Sequence, residues 1–169
     1  WNIELLAGSP DDANSQAFFR GAMSVLEPLL RQGRLRVRSG QVTFAQAATQ
    51  GWKAENAQRR MDTLLAGTYG RETLHGVLSP NDTLARAVLT ASRAAGKELP
   101  VVTGQDSEVE SVRSILRGEQ YSTIRKDTAT LQAAAALLHY DSLAPGEGAS
   151  LLEGLDENAH KHAFGVSED

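Results

Sequence analysis

The chain has no cysteine among its 169 residues, which excludes disulfide bonds, thiolate catalysis and zinc sites built on cysteine. No apolar run approaches the roughly 20 residues that a membrane-spanning helix needs. The net charge is only −4 at pH 7, with acidic and basic residues interspersed, so it indicates neither a nucleic-acid partner nor an anionic membrane. The composition, with 41% hydrophobic and 22% charged residues, is that of an ordinary globular domain.

Common catalytic and cofactor motifs are also missing. No G-x-G-x-x-G follows a predicted strand, and neither a P-loop lysine motif nor a G-x-S-x-G nucleophile elbow is present. The histidines show no spacing with carboxylates that is typical of zinc, and the nearest pair, His160 and His162, is better explained as part of a solvated tail. We therefore expect no catalytic residues, no metal and no cofactor, which argues against an enzyme.

Short apolar segments alternate with amphipathic ones along the chain. The pattern predicts strands near residues 3–7, 35–37, 74–78, 101–103 and 122–124, and helices over 15–32, 54–65, 83–95, 107–116 and 128–139. Five β-α units in series predict a doubly wound, mostly parallel open sheet of about five strands with helices on both faces. Residues 141–169 are predicted as loop plus a short helix. The expected domains are therefore an α/β lobe over 1–140 and a divergent tail over 141–169.

Polar residues follow the carboxyl ends of the predicted strands, the edge at which open parallel sheets bind ligands. Carboxylates, amides, an ammonium and an indole would share this edge: Asp11, Asp12, Asn14, Trp52, Asn81, Asp82, Gln105, Asp106, Lys126 and Asp127. Amides and carboxylates suit a ligand made of hydroxyl groups, and an indole face suits the apolar side of a sugar ring. The residues alone therefore indicate a neutral carbohydrate or polyol.

Several of these residues have an ordinary explanation as helix caps. An Asp or Asn before a helix usually accepts a free backbone N–H, which is the favoured interpretation for Asp82 and one of two for Asp106 and Asp127. Asn81 precedes the expected cap position, which disfavours a purely capping role for it. The helix over 107–116 is predicted to turn its large apolar residues towards the core: Val109, Val112, Ile115 and Leu116.

The indole and the ammonium have structural alternatives of their own. Trp52 could be a core residue, but it stands between Gly51 and Lys53, outside any apolar periodicity, which favours a surface or cleft role. Lys126 follows a predicted strand and could be an ordinary solvated charge.

Four segments carry a resemblance to a known family: ELLAGSPDDANSQAFFRGAMSVL, GWKAENAQRRMDTLL, GVLSPNDTLARAV and PVVTGQDSEVESVRSILRGEQYSTIRKD. In order and spacing, over roughly residues 2–138, they resemble the sugar-binding receptors of ABC transporters, especially the xylose-binding and multiple-sugar-binding periplasmic proteins. Such receptors have two similar lobes of the type I periplasmic-binding-protein fold, joined by a hinge, and trap the sugar between them. The chain resembles the carboxyl-terminal lobe. We expect it to be part of a longer product, with the amino-terminal lobe outside these residues.

The resemblance implies the sugar-binding residues one by one. In the family they are polar side chains after the first strand, a stacking aromatic in a W-x-x-x-x-A segment, the Asn of an N-D pair, the Asp that closes G-x-D and a polar residue after the last strand. In this sequence these positions are Asp12, Asn14, Trp52, Asn81, Asp106 and Lys126. Asp82 and Asp127 are left as helix caps. The family's return segment, V-P-x-x-L-x-P, is not found after Tyr140.

The resemblance also implies a function and partners. The lobe would bind a monosaccharide, a pentose or a hexose, for delivery to an ABC transporter permease, in the periplasm or lipid-anchored at the outer face of the cell membrane. No nucleic acid is expected, and the bare edge could support self-association. One alternative is the effector-binding lobe of a LacI-type transcription regulator, against which the GSPDDAN and GQD motifs and the lack of a DNA-binding helix pair argue. Another is an enzyme on a flavodoxin-like sheet, which no nucleophile–base pair supports.

Overall fold

The computed structural model describes residues 1–127 of the 169. Residues Trp1–Arg125 form one compact unit, which contains every helix and strand of the described residues, and Lys126–Asp169 form another. The helix predicted over 128–139, the tail over 141–169 and the domain boundary at residue 140 all lie outside the described residues.

A parallel sheet forms the centre of the first unit. Its four strands are β1 (Asn2–Leu5), β2 (Arg36–Val37), β3 (Gly76–Leu78) and β4 (Val101–Val102). They are arranged in the order β2-β1-β3-β4, so that Ile3 of β1 lies opposite both Val37 and Gly76. The predicted α/β class with a parallel sheet is confirmed. The fifth strand predicted at 122–124 is reduced, within the described residues, to a parallel bridge between Gln105 and Ile124.

Helices connect the strands. Within residues 1–127 they are α1 (Ala13–Arg31), α2 (Phe44–Ala47), α3 (Ala54–Ala66), α4 (Asp82–Ala94) and α5 (Val109–Leu116), and a single 3₁₀ turn over Gln50–Trp52 precedes α3. The sequence did not predict α2, because one helical turn is too short to show a period. None of the helices described has the length and hydropathy of a membrane-spanning segment.

The core lies on both faces of the sheet. Successive residues of a strand point to opposite faces, and Leu5 and Leu6 accordingly belong to different hydrophobic clusters. The Leu6 cluster contains the buried face of α3 and α4. The Leu5 cluster contains Phe19 of α1, whose ring meets that of Phe44 edge to face at a centroid distance of 5.8 Å. Helices therefore cover both faces, as a doubly wound sheet requires.

A buried carboxylate lies in the central strand. Glu4 is completely buried and accepts hydrogen bonds from the Ser39 N–H (3.1 Å), the Ser39 hydroxyl (2.6 Å) and the Tyr69 hydroxyl (2.6 Å). Burial raises the pKa of the Tyr69 hydroxyl, and the hydrogen bond to Glu4 raises it further. Burial also lowers the pKa of the Arg60 guanidinium, an effect that the charge of Glu4 opposes. Three donors on one carboxylate offset the cost of removing it from water.

The caps of α4 and α5 differ from the prediction. The predicted cap, Asp82, is wrong: Asn81 caps α4, its Oδ1 accepting the Leu84 N–H at 2.9 Å, because the helix begins one residue earlier than predicted. The capping interpretation of Asp106 is also wrong, because α5 begins at Val109 with Glu108 in the cap position. Asp127 precedes residues outside the described part, so its predicted cap stays a prediction.

The face that α5 buries was also predicted wrongly. Ser111 and Ser114 are buried, whereas Val109 is 64% and Leu116 83% exposed. The reason is a polar contact between helices, since Arg86 of α4 donates to the Ser111 hydroxyl at 3.0 Å and pairs with Glu108. With this contact on the inner face, Val109, Val112 and Leu116 are turned outwards, and Ile115 is half-buried.

The Glu4 network predicts a specific loss of stability. Tyr69→Phe removes a donor from a buried carboxylate and should lower the free energy of unfolding by about 1–3 kcal/mol, measured by urea denaturation. Tyr121→Phe is the matched control, because Tyr121 is 70% exposed, and should change stability by less than about 0.5 kcal/mol. Equal effects of the two substitutions would show that the Tyr69 hydroxyl does not stabilise the fold.

Candidate functional site

The carboxyl ends of β1, β3 and β4 lie at one edge of the sheet. We define the rim as residues 8–14 after β1, 79–82 after β3 and 103–108 after β4, together with 47–52, which lies beside the first of these segments. Five of the six predicted site residues fall within the rim: Asp12, Asn14, Trp52, Asn81 and Asp106. The sixth, Lys126, belongs to the second compact unit and stays a prediction.

The turn after β1 is held by its own side chains. The buried hydroxyl of Ser9 donates to the Asp11 carboxylate and accepts the Gly51 N–H at 2.7 Å. Asp12 caps α1, with its Oδ1 accepting the Asn14 N–H at 2.9 Å, and its Oδ2 takes no hydrogen bond from residues 1–127. The Asn14 side chain lies in the first helical turn and is exposed. Asp12 therefore shapes the turn with one oxygen and presents the other.

The segment 47–52 is joined to this turn by backbone hydrogen bonds. The Ala7 N–H donates to the Ala47 carbonyl at 2.8 Å, and the Thr49 N–H donates to the Gly8 carbonyl at 3.1 Å. With the Gly51 bond to Ser9, these contacts extend parallel pairing beyond the end of β1. They bring Trp52, which is far from the first turn in sequence, to the rim.

Trp52 is half-buried and packs against Gly8. Its indole contacts the Leu6 cluster, and a Cβ atom on Gly8 would lie 2.0 Å from the ring atom Cη2. Only glycine leaves room for the ring at this position. Part of the indole is therefore a core contact and part is accessible at the rim, and stacking on a sugar stays a prediction.

The turn after β3 presents an amide. The Ser79 N–H donates to the Thr103 hydroxyl at 3.0 Å, and this hydroxyl donates back to the Ser79 carbonyl at 3.1 Å, which ties the ends of β3 and β4 together. Asn81 uses its amide oxygen to cap α4, while its amide nitrogen has no partner within the described residues and is partly exposed. Asn81 can therefore act as a cap and as a hydrogen-bond donor at once.

Asp82 is a buried residue of the rim, and it connects three segments. The fully buried carboxylate accepts from the Glu108 N–H (2.9 Å), the Thr123 hydroxyl (2.8 Å) and the Gln120 amide (3.0 Å). A Cβ atom on Gly104 would lie 2.1 Å from the Asp82 Oδ1, so only glycine lets this loop approach the carboxylate. The sequence missed this role, although the G-x-D motif placed a glycine directly before the Gln105–Asp106 pair.

The backbone of the rim is strained at the predicted contacts. Within residues 1–127, the non-glycine residues with positive φ are Trp52 (55°), Asp106 (98°) and Ser107 (52°). Side chains disfavour this region, and such strain concentrates at binding and active sites. The Asp106 N–H donates to the Ile124 carbonyl and the Ser107 N–H to the Thr123 hydroxyl, which holds the loop in this shape. The Asp106 side chain is exposed.

The side chains of the rim are rich in hydrogen-bonding groups. Its four segments contain carboxylates, amides, hydroxyls and an indole, but no His, Lys, Arg or Cys. In the part of the chain that the structure describes, no cluster of three or more metal-ligating side chains occurs. The arrangement suits a neutral ligand rich in hydroxyl groups.

The packing of Trp52 on Gly8 is testable. Gly8→Ala should push the indole outwards, shift its fluorescence to longer wavelength in a Trp1→Phe background and cost about 1–3 kcal/mol of stability through overpacking. Gly21→Ala is the control, because its Cβ would meet nothing within 4 Å on α1. That change should stabilise the protein by roughly 0.5–1 kcal/mol and leave the emission unaltered. An unchanged spectrum for Gly8→Ala would show that Gly8 does not position Trp52.

The chain is similar to several known proteins. The family model described as "Periplasmic binding protein domain" matches residues 1–148. The chain is 46% identical over 136 residues to the multiple sugar-binding periplasmic protein SbpA of Azospirillum brasilense and 48% identical over 136 residues to the multiple sugar-binding periplasmic receptor ChvE of Rhizobium radiobacter. Each match covers 78% of this chain and 38% of the relative.

A solved structure is similar over the same region. An ABC transporter solute-binding protein from Clostridium phytofermentans with bound β-D-glucose matches with a TM-score of 0.77 and 41% identity, over 88% of this chain and 46% of that one. The chain thus spans less than half the length of the proteins to which it is compared. Because the family model matches residues 1–148 and SbpA and ChvE are 46% and 48% identical over 78% of the chain, it belongs to the periplasmic binding protein domain family.

Proposed function

We propose that the chain is the carboxyl-terminal lobe of a solute receptor that binds a monosaccharide at the rim. The observation that carries this proposal is that five residues picked out by sequence motifs, from four separate segments, lie in the rim. Two of them, Trp52 and Asp106, also hold unfavourable positive-φ backbone. Strain of this kind persists where a structure must present a side chain in one orientation.

Each side chain has a distinct role in the proposed site. The carboxylates of Asp12 and Asp106 accept hydrogen bonds from sugar hydroxyls, and the free amide nitrogen of Asn81 donates one. Asn14 adds a second exposed amide, and Trp52 offers its accessible ring surface to the C–H side of the sugar. Lys126 is the sixth proposed contact, after the segment that pairs with Gln105. The SbpA and ChvE names and the glucose in the solved relative support a pentose or hexose.

The biological setting follows from the relatives. They are named periplasmic receptors and transporter solute-binding proteins, which supports an extracytoplasmic protein that passes its sugar to an ABC transporter permease. A lipid anchor at the outer face of the cell membrane is an alternative form of the same setting. An amino-terminal lobe outside these residues would supply the other half of the site. Because the relatives are named as receptors and solute-binding proteins, binding without catalysis is the proposed function of the rim.

The isolated chain should bind sugars weakly. A receptor of this kind gains affinity by closing two lobes on the ligand, so one lobe makes about half of the contacts. The loss of about 4 kcal/mol weakens binding about a thousandfold, which turns a micromolar receptor into a millimolar one. Titration of the 169-residue chain with D-glucose, D-galactose, D-xylose and L-arabinose, followed by NMR, should give millimolar dissociation constants. Low-micromolar affinity would contradict the half-site argument, and no binding at several hundred millimolar, on the order of a hundred times such a constant, would contradict the carbohydrate function.

Asp106 should be needed for binding and not for folding. Asp106→Gly removes the carboxylate and relieves the positive φ, so sugar binding should fall about tenfold or more, while urea denaturation shows little loss of stability. Ser107→Gly is the matched control, because it relieves the neighbouring positive φ and keeps the carboxylate. It should bind sugar as the parent chain does. Equal loss of binding in both variants would point to the loop backbone and against the Asp106 carboxylate.

A further inference from the structure

A small cavity opens between the first turns of α1 and the ends of β1 and β3. Its volume is about 90 Å³, and its wall is mainly apolar, formed by residues that include Ala7, Phe18, Ala22 and Leu78. Three polar residues also line it, namely Ser15, Ser79 and Gln105. This volume is well below the roughly 300 Å³ at which ligand pockets begin, so the cavity is too small for a whole pyranose and suits one substituent of it.

Ser15 is the polar group of this cavity that lacks a partner. Its side chain is 1% exposed, and its hydroxyl makes no hydrogen bond in the structure. The other two polar residues are engaged, since the Ser79 hydroxyl donates to the Asn81 carbonyl and the Gln105 amide nitrogen donates to the Pro80 carbonyl. A buried hydroxyl without a partner costs stability, so a polar group that enters the cavity and forms a hydrogen bond with Ser15 would offset this cost.

The cavity is lined in part by residues that are direct sequence neighbours of the proposed sugar contacts. Ser15 follows Asn14 in the chain, Pro80 of the cavity wall precedes Asn81, and Gln105 precedes Asp106. Phe18 at its wall is 40% exposed, so solvent reaches one side of the wall. A ligand held by Asn14, Asn81 and Asp106 would therefore lie close to residues that line the cavity.

We propose that the cavity receives the exocyclic hydroxymethyl group of a hexopyranose and that Ser15 determines specificity by binding its hydroxyl. The apolar wall suits the methylene carbon, and the Ser15 hydroxyl suits the oxygen. This inference rests on the proposed carbohydrate function and adds that the site favours a hexose over the pentose of matching stereochemistry. D-Xylose is D-glucose without this group, and L-arabinose stands in the same relation to D-galactose, so each pair tests the cavity alone.

The test uses the 169-residue chain with ¹³C-labelled alanine methyl groups. D-Glucose should shift the methyl signals of Ala7 and Ala22 in the cavity wall, whereas D-xylose should shift the Trp52 indole signal and leave these methyls in place. Ser15→Ala should weaken D-glucose binding about two- to tenfold, the worth of one hydrogen bond, and leave D-xylose binding unchanged. Ser24→Ala, on the exposed face of α1, is the control and should alter neither.

The outcomes separate the inference from the function on which it rests. Suppose that both sugars shift the Trp52 signal. If the cavity methyl signals then stay in place, or if both sugars shift them equally, the cavity is not a hydroxymethyl site and the carbohydrate function stands. If Ser15→Ala weakens D-glucose and D-xylose binding equally, Ser15 acts on the rim as a whole and does not determine specificity. If neither sugar shifts any signal, the carbohydrate function and this inference both fail.

Discussion

The buried carboxylate of Asp82 is the contact on which the rest of the rim depends. It accepts hydrogen bonds from the start of α5 and from Gln120 and Thr123, while its own N–H donates to the Gln105 carbonyl at 2.9 Å. The loop over 103–108 is thereby fixed at Gln105, which is bonded to the Asp82 N–H, and at Glu108, which is bonded to the Asp82 carboxylate. Unfavourable backbone persists only where surrounding contacts over-determine it. The positive φ of Asp106 is consistent with that rule, and Gly104 is the residue that lets the loop come close enough.

The same groups serve as helix caps and as proposed ligands, and the geometry shows why these roles are compatible. A cap needs one oxygen of an Asp or Asn side chain. Asp12 and Asn81 each give one oxygen to their helix and keep a second polar atom without a partner among residues 1–127. In this fold, one residue can be both a cap and a ligand contact, because parallel strands lead directly into helices at the ligand-binding edge.

Much of the fold could be predicted from the sequence because its signals are local. The alternation of apolar strands with periodic helices led to the parallel sheet, and the motif residues Asn81 and Asp106 lie at the predicted edge. What could not be predicted depends on distant partners. The outward turn of Val109 and Leu116 follows from Arg86, a residue of another helix, and the burial of Asp82 follows from donors in segments remote from it in sequence.

The role of Gly8 shows the same limit for the candidate site. From the sequence, a glycine after a strand is expected to be a turn residue. The structure shows that the hydrogen bonds of Thr49 and Gly51 place Trp52 so that its indole fills the space that a side chain on Gly8 would need. The motif thus predicted that Trp52 lies at this edge of the sheet but not why it lies there, and its contact with a sugar stays a prediction. Ser15 is a further case, because its missing partner becomes visible only when the whole helix is packed.

The polarity of the rim is consistent with the proposal that it forms half of a sugar site. A sugar hydroxyl donates one hydrogen bond and accepts others, so it is satisfied only between acceptors and donors. The rim segments carry the carboxylates of Asp11, Asp12 and Asp106 and the amides of Asn14 and Asn81, but no cationic side chain. Neighbouring carboxylates disfavour one another unless donors lie between them. A ligand with several hydroxyl groups supplies such donors, and a second lobe that brings donors of its own would complement this surface in both charge and hydrogen bonding.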